Sequence, residues 1–292
     1  MFVSGGSGSS AVVVTDFAGN PVATLTGLAG AAGLALSAGG GVLYAAISGT
    51  DEIAAVNTAT LQEVALYFTD GQDPVSLAVV GDDVWFSYPS NNGQPGIGVL
   101  DPSALTVGLT RESEFLYAPV LAASPAAPGI LVAGNAGFSP SVIESFDVGS
   151  GAPVPVAVSD PWSQPDGCAN LRQLAIAADG TDVVTACGYP YYGSSLDLST
   201  MQEDATYTTG PYVDSVAVAP SGEIALGLSG SNPSTPVDLF TPGDSVPAAS
   251  YPVAGSDVPG LAWSADGGTL FAVGDGVNEN GDLVLNIVDV TG

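Results

Sequence analysis

The side chains best able to hold a ligand crowd into two short segments, Ser159-Asp160-Pro161-Trp162-Ser163-Gln164-Pro165-Asp166-Gly167-Cys168 and Gly188-Tyr189-Pro190-Tyr191-Tyr192-Gly193. Aromatic rings beside Asn, Gln and Asp offer a flat apolar platform with hydrogen-bonding groups at its edge, which suits a neutral sugar or a peptide. Tyr88 with Asn91, and Tyr212, extend the set. The plainer reading of each ring is packing over a neighbouring element. Arg172 could anchor a ligand carboxylate, or pair with an acid of the chain itself, as Arg111 could with Glu112 or Glu114. The run Asp275-Gly276-Val277-Asn278-Glu279-Asn280-Gly281-Asp282 places Asp275, Asn278, Asn280 and Asp282 where they could wrap Ca²⁺. It lacks the full EF-hand pattern, and an Asn/Gly turn is the alternative.

The residue types that are missing narrow the chemistry further. With no His and no Lys, Ser-His-Asp and Cys-His nucleophile systems, Schiff-base catalysis and histidine metal sites are excluded. No P-loop and no dinucleotide-binding glycine motif in a strand-to-helix context is present. Carboxylate acid–base chemistry or Ca²⁺-assisted hydrolysis is what is left. Asp51, Glu52, Asp73, Glu112, Asp160, Asp214 and Asp257 are the acids at hand for it, and none lies in a motif. No cofactor other than Ca²⁺ is implied.

Composition bounds the partners. Thirty acidic residues face only Arg111 and Arg172, for a formal charge of −28. Such a chain repels polyanions, so nucleic acid and anionic lipid are poor partners. Its 46% apolar and 11% charged residues predict a compact fold, and 39 glycines and 22 prolines scattered between short apolar runs predict many strands joined by turns. Cys168 and Cys187 are the only cysteines, without a CxxC or Cys/His cluster, so a structural zinc site is not supported. The start, MFVSGG, has neither a charged nor an apolar signal-peptide region, which reads as a mature or excised domain. Residues 17–50 carry no charge, but SAGGG and Ser37 interrupt them, and two strands with their turn explain the stretch better than a membrane span.

The elements that must position these residues follow from a repeat. Gly33-Leu34-Ala35-Leu36-Ser37 recurs as Ser76-Leu77-Ala78-Val79, Val120-Leu121-Ala122-Ala123-Ser124, Gln173-Leu174-Ala175-Ile176-Ala177, Ser215-Val216-Ala217-Val218-Ala219 and Gly260-Leu261-Ala262-Trp263-Ser264, in steps of 43, 44, 53, 42 and 45 residues. That is the length of one four-stranded propeller blade. Each phrase leads into a tight Gly/Asp turn and a second strand, such as Val42 to Ala46, Val84 to Tyr88 or Thr269 to Val273. Third strands (Ile53 to Asn57, Ile97 to Asp101, Val142 to Val148) and edge strands (Glu63 to Phe68, Val154 to Val158) complete the unit. Three strands before the first phrase, and two strands after the last, make two incomplete blades, the missing first strand being expected ahead of Met1. The fold class predicted is therefore all-β, a seven-bladed β-propeller of four-stranded antiparallel blades forming a single domain over residues 1–292, with six blades as the alternative.

In such a blade the connection from strand two to three, and the one into the next blade, emerge on one face. Tyr88, Asn91, Tyr189, Tyr191 and Tyr192 fall in the first loop set, and Trp162 and Tyr212 in the second, while the opposite face receives short turns. Cys168 precedes a first strand and Cys187 ends a second, at one end of an antiparallel hairpin, so a disulfide between them would staple the two aromatic segments together. Two free thiols are the alternative.

Segments such as GGGVLYAAISGTDEIAAVNTATLQEVALY and VVVTDFAGNPVATLTGLAGAAGLALS resemble the YVTN or YncE-type β-propeller, in particular the propeller that precedes Ig-like repeats in secreted actinobacterial surface proteins. The resemblance spans essentially the whole chain and is weakest in the fourth and fifth units. It implies the fold, and an extracellular or cell-surface domain excised from a larger chain. The one-sided aromatic loops and the missing catalytic residue types, rather than the resemblance, point to a non-catalytic module binding a glycan or a protein ligand. The competing readings are a Ca²⁺-dependent lactonase-like hydrolase and a passive spacer.

Overall fold

The structure is a computed structural model and describes residues 1–89, 94–111, 115–160, 167–210, 212–230, 234–275 and 283–290, with the side chains of residues 111, 234 and 235 outside the description. It contains seven antiparallel sheets. The first has three strands, Phe2–Ser4, Val12–Thr15 and Pro21–Leu25. Five four-stranded sheets follow: Ala31–Leu36, Val42–Ile47, Glu52–Asn57 and Glu63–Phe68; Leu77–Val80, Asp83–Tyr88, Gly96–Asp101 and Thr106–Arg111; Val120–Ala122, Ile130–Gly134, Ile143–Asp147 and Val154–Val158; Ala169–Ile176, Asp182–Tyr189, Tyr192–Asp197 and Glu203–Thr208; Val213–Val218, Ile224–Leu228, Ser234–Phe240 and Ala249–Ala254. The last sheet has Asp257–Trp263, Thr269–Asp275 and Val284–Asp289. The chain is thus a seven-bladed β-propeller, and the six-bladed alternative falls. The uncharged stretch from 17 to 50 holds three strands rather than two, with a single 3₁₀ turn at Thr26–Leu28. Among the described residues no helix is long and apolar enough to cross a membrane.

Burial explains the strand composition. In the second blade the middle strands Val42–Ile47 and Glu52–Asn57 are buried nearly throughout, so they read as continuous small and apolar runs. The fourth strand Glu63–Phe68 alternates instead: Ala65 and Tyr67 pack inward while Val64, Leu66 and Phe68 face solvent.

One turn recurs between the third and fourth strands of blades one to five. Asp16, Asn57, Asp101, Asp147 and Asp197 each accept backbone N–H bonds from residues two to four places on. In blades two, three and five the turn closes on Leu61, Leu105 and Met201, all with φ between 54° and 58°. The side-chain acceptor offsets the cost of holding a bulky residue in the left-handed region. Finding Asp16 at this position identifies the three strands of the first blade as strands two to four.

The chain divides into two compact units, Met1–Asn135 with Phe146–Pro155, and Ala136–Ser145 with Val156–Gly292. In the first, Trp85, Ile97, Phe115, Leu131 and Phe146 form one apolar cluster, and Tyr44, Ile53, Phe86 and Leu100 another. In the second, Val184, Tyr207, Leu226 and Phe240 pack between blades five and six, and Val237, Val258 and Leu270 between blades six and seven.

Candidate functional site

The hairpin of blade five builds the corner where the sequence concentrates its aromatics. Ala169 pairs with Tyr189 and Leu171 with Cys187, so the residue ahead of the first strand meets the end of the second. Cys168 and Cys187 are disulfide-bonded there, their Cα atoms 5.5 Å apart. A third segment is bound to the same place: Ser141 N–H donates to Cys168 O, Asn170 N–H to Phe138 O and Gly137 N–H to Leu171 O, at 2.7, 2.7 and 3.1 Å. The Asn170 side chain lies close against Gly188, where a Cβ would come within 2.6 Å of its nitrogen and make that side chain turn aside.

Three tyrosines stand on this support. Tyr189 ends the second strand, Tyr191 lies in the turn and Tyr212 leads into the first strand of blade six. Their rings are in contact, Tyr189 with Tyr191 at 5.7 Å and 74°, and Tyr191 with Tyr212 at 5.3 Å and 83°. They are 50%, 41% and 50% exposed. Tyr191 and Tyr212 hold φ of 78° and 60°, a conformation that a bulky side chain rarely adopts and that persists only where the surroundings enforce it. Those surroundings are visible: Thr209 donates through its hydroxyl to Tyr191 O at 3.1 Å, and Ser229 N–H to Tyr212 O at 2.8 Å. The Tyr212 phenol, with Tyr189 close by, holds the Tyr191 hydroxyl above its ordinary pKa.

Arg172 and Asp214 meet beside these elements for a reason of register. Each lies at a β-bulge, Arg172 between Leu171 and Gln173 and Asp214 between Val213 and Ser215. A bulge re-aims its extra side chain, and here Arg172 Nε donates to Asp214 Oδ1 at 2.8 Å. The arginine is half exposed and the carboxylate mostly covered, so the pair is a partly screened surface ion pair with the rest of the guanidinium open to solvent.

The other expected positions fall differently. Tyr88 is not a loop residue but the last residue of its strand, 2% exposed, with its hydroxyl donating to Thr110 O at 3.1 Å. Its ring belongs to the core cluster of blades two and three and offers no platform. Tyr192 opens the third strand of blade five and is partly buried. Trp162 and Asn91 lie outside the described residues, as do Asn278, Asn280 and Asp282, leaving Asp275 at the end of its strand as the one described member of that run. Arg111's side chain, Glu112 and Glu114 are likewise outside them.

A second polar place was not legible from spacing. Asp182, Asp197 and Asp204 bring carboxylate oxygens within 4.8 Å of one another, a group that could hold a cation. Asp182 and Asp197 are directly opposed across two strands, an arrangement that repels without a counter-charge. Burial, followed by the charges of Asp204, Asp179 and Asp197, raises the pKa of Asp182. A cavity of about 510 Å³ adjoins it, lined by Asp179, Asp182, Asp204, Ser195 and Tyr207 with Pro220 and Pro242 of blade six. Asp182 starts the strand that Tyr189 ends, roughly 23 Å away along it, so this cavity and the tyrosines occupy opposite ends of the blade.

These shifts set a pH dependence. Asp182 is raised in the fold, so its ionised form is penalised above its folded pKa, and the penalty fades as pH falls from there toward the ordinary aspartate value of 3.8. Asp182→Asn is therefore expected to stabilise the protein at pH 7 in EDTA, with the gain vanishing near pH 4. Asp197 is lowered by the hydroxyls of Ser199 and Thr200, so its stabilisation is present above 3.8 and lost as pH falls through its lower folded pKa. Asp197→Ala should accordingly destabilise at pH 7. Urea melts of both variants check the pair: the Asp182→Asn gain should shrink between pH 7 and pH 4, whereas the Asp197→Ala loss should persist at pH 4 and shrink only below 3.8, and an Asp182→Asn effect equal at pH 7 and pH 4 would contradict the assignment.

Comparison with known proteins adds the fold and stops there. No family model matches the chain, and no curated protein does. Solved structures do match. One is Kuenenia stuttgartiensis hydrazine synthase, with a TM-score of 0.75 at 16% identity, over 99% of this chain and 92% of that one. This likeness shows the propeller fold. At such identity it transfers no residue role, so the tyrosine corner has to be read from its own geometry.

Proposed function

We propose that the chain is a non-catalytic extracellular binding module that takes a glycan or a protein or peptide ligand on the tyrosine corner of blades five and six. The observation that carries the reading is the contact of Tyr189, Tyr191 and Tyr212, half exposed, two of them in left-handed backbone. Strain of this kind clusters at ligand sites on loops held by a rigid scaffold. The disulfide behind the corner supports an oxidising, extracellular setting. The repeat phrase supports a YVTN or YncE-type propeller of the actinobacterial surface-protein kind, forming one domain of a larger chain.

A glycan array and a peptide library, probed with the native protein and with Tyr189→Ala, Tyr191→Ala and Tyr212→Ala, test the proposal. A ligand whose affinity falls tenfold or more, about 1.4 kcal/mol, in at least two of the variants is expected. Binding indifferent to all three would remove the site. The hydrolase reading draws on the cavity beside Asp182, Asp197 and Asp204. Turnover of a lactone or ester panel that requires Ca²⁺ and is lost in Asp204→Asn would replace the binding reading, and silence in every assay would favour the spacer.

A further inference from the structure

The shape and charge of the tyrosine corner narrow what it takes. A sugar stacks best on one broad ring face, or on coplanar rings. Here Tyr189 and Tyr212 both stand nearly perpendicular to Tyr191, at 74° and 83°, with centroids 5.7 and 5.3 Å from it. Adjoining ring faces at right angles make a corner rather than a shelf, and a rounded group seated in it meets more than one π-face within the roughly 6 Å over which a cation is attracted to an aromatic ring. The charge of the molecule agrees. The chain carries −28, without Lys or His, and Arg172 is the sole basic residue between 156 and 292. That arginine already faces Asp214. The long-range field therefore draws cations toward the protein and turns anions away.

Resting on the binding reading above, we infer that the corner formed by Tyr189, Tyr191 and Tyr212 receives an alkylated ammonium group, presented by a small molecule or by a peptide side chain. The negative ring faces supply the attraction, and the methyl groups of the cation supply apolar contact that a bare, strongly hydrated ammonium cannot. Tyr191 is the central wall, touching both other rings. The attraction comes from the ring face, so the ring and not the phenol group is the part that matters.

The test is titration of the intact, oxidised protein, followed by NMR or calorimetry, with choline and with its uncharged carbon isostere 3,3-dimethylbutan-1-ol. A peptide bearing trimethyl-lysine and the same peptide with unmodified lysine distinguish the two sources. Choline or the trimethylated peptide is expected to bind at least tenfold more tightly than its control, with affinity falling as salt rises. Tyr191→Phe should keep binding within about threefold, since the π-face persists. Tyr191→Ala, whose thermal melt checks that it folds, should lose it. If the isostere or a neutral glycan binds as well as choline and still depends on the tyrosines, the corner is a site but not a cation site. If no probe, charged or neutral, responds to the tyrosine variants, the binding reading itself is overturned.

Discussion

Replacing Cys168 by serine and Cys187 by alanine together is expected to lower unfolding stability by about 3 kcal/mol, since closing a loop of this size removes that much chain freedom from the unfolded state. The bond spans a sequence separation of 19. Alanine is the appropriate replacement at 187 because that side chain is only 1% exposed, and a serine hydroxyl there would add a desolvation cost of its own. The loss should also be local. Cys168 and Cys187 bind the start of one strand to the end of another, and the hydrogen bonds from Ser141, Asn170 and Gly137 tie the connection around residues 137–141 to the same point. Hydrogen exchange should accelerate over 137–141, 168–171 and 187–192 while the strands of blades two and three stay protected. Ligand affinity at the tyrosines should fall with it, because Tyr191 and Tyr212 hold unfavourable backbone conformations only as long as their surroundings are firm. A variant as stable as the native protein, or a uniform rise in exchange through every blade, would show that the disulfide does not organise the corner.

How far the sequence revealed this arrangement depends on which interactions carry the information. The blades were legible because a strand buried on both faces must be apolar along its length, so the phrase around Leu34, Leu77, Val216 and Leu261 repeats wherever a first strand does. The disulfide was legible because hairpin topology alone places Cys168 beside Cys187. Tyr88 misled because the sequence places the strand end correctly but the last residue of a strand can turn its ring either to the rim or to the core, and here the ring packs in the core. The recurring turn carries a sequence signal of its own: Asn57 to Leu61, Asp101 to Leu105 and Asp197 to Met201 share one spacing. Two features lay beyond reach. The Arg172–Asp214 pair needs two bulges, and a single-residue insertion in pairing leaves no mark in composition. The Asp182, Asp197, Asp204 group comes from register, which opposes residues far apart in the chain.

Trp85→Ala is expected to be the most damaging single substitution in the first unit, costing about 3–5 kcal/mol. The side chain is 0% exposed and heads the largest fully buried side chains of the chain. Ala78, Ile97, Phe115, Leu131 and Phe146 surround it, and a close-packed interior of this kind cannot collapse into the space an indole leaves. Trp85 also has an unusual chemistry, since its Nε1 is buried without a hydrogen-bond partner among the described residues. Burying an unpaired donor costs about 1–3 kcal/mol, and phenylalanine removes the donor along with part of the ring. The two changes oppose each other, so Trp85→Phe should cost much less than the alanine variant, under about 1.5 kcal/mol as for a modest change of core shape. Were the indole N–H satisfied, phenylalanine would forfeit both volume and a hydrogen bond, and its cost would approach that of alanine. Urea denaturation of both variants decides between these outcomes. Trp85 belongs to the first compact unit and Tyr189, Tyr191 and Tyr212 to the second, so under conditions where Trp85→Phe is folded it should bind ligand with native affinity. That independence separates the residues that hold a blade together from those the protein sets aside for its ligand.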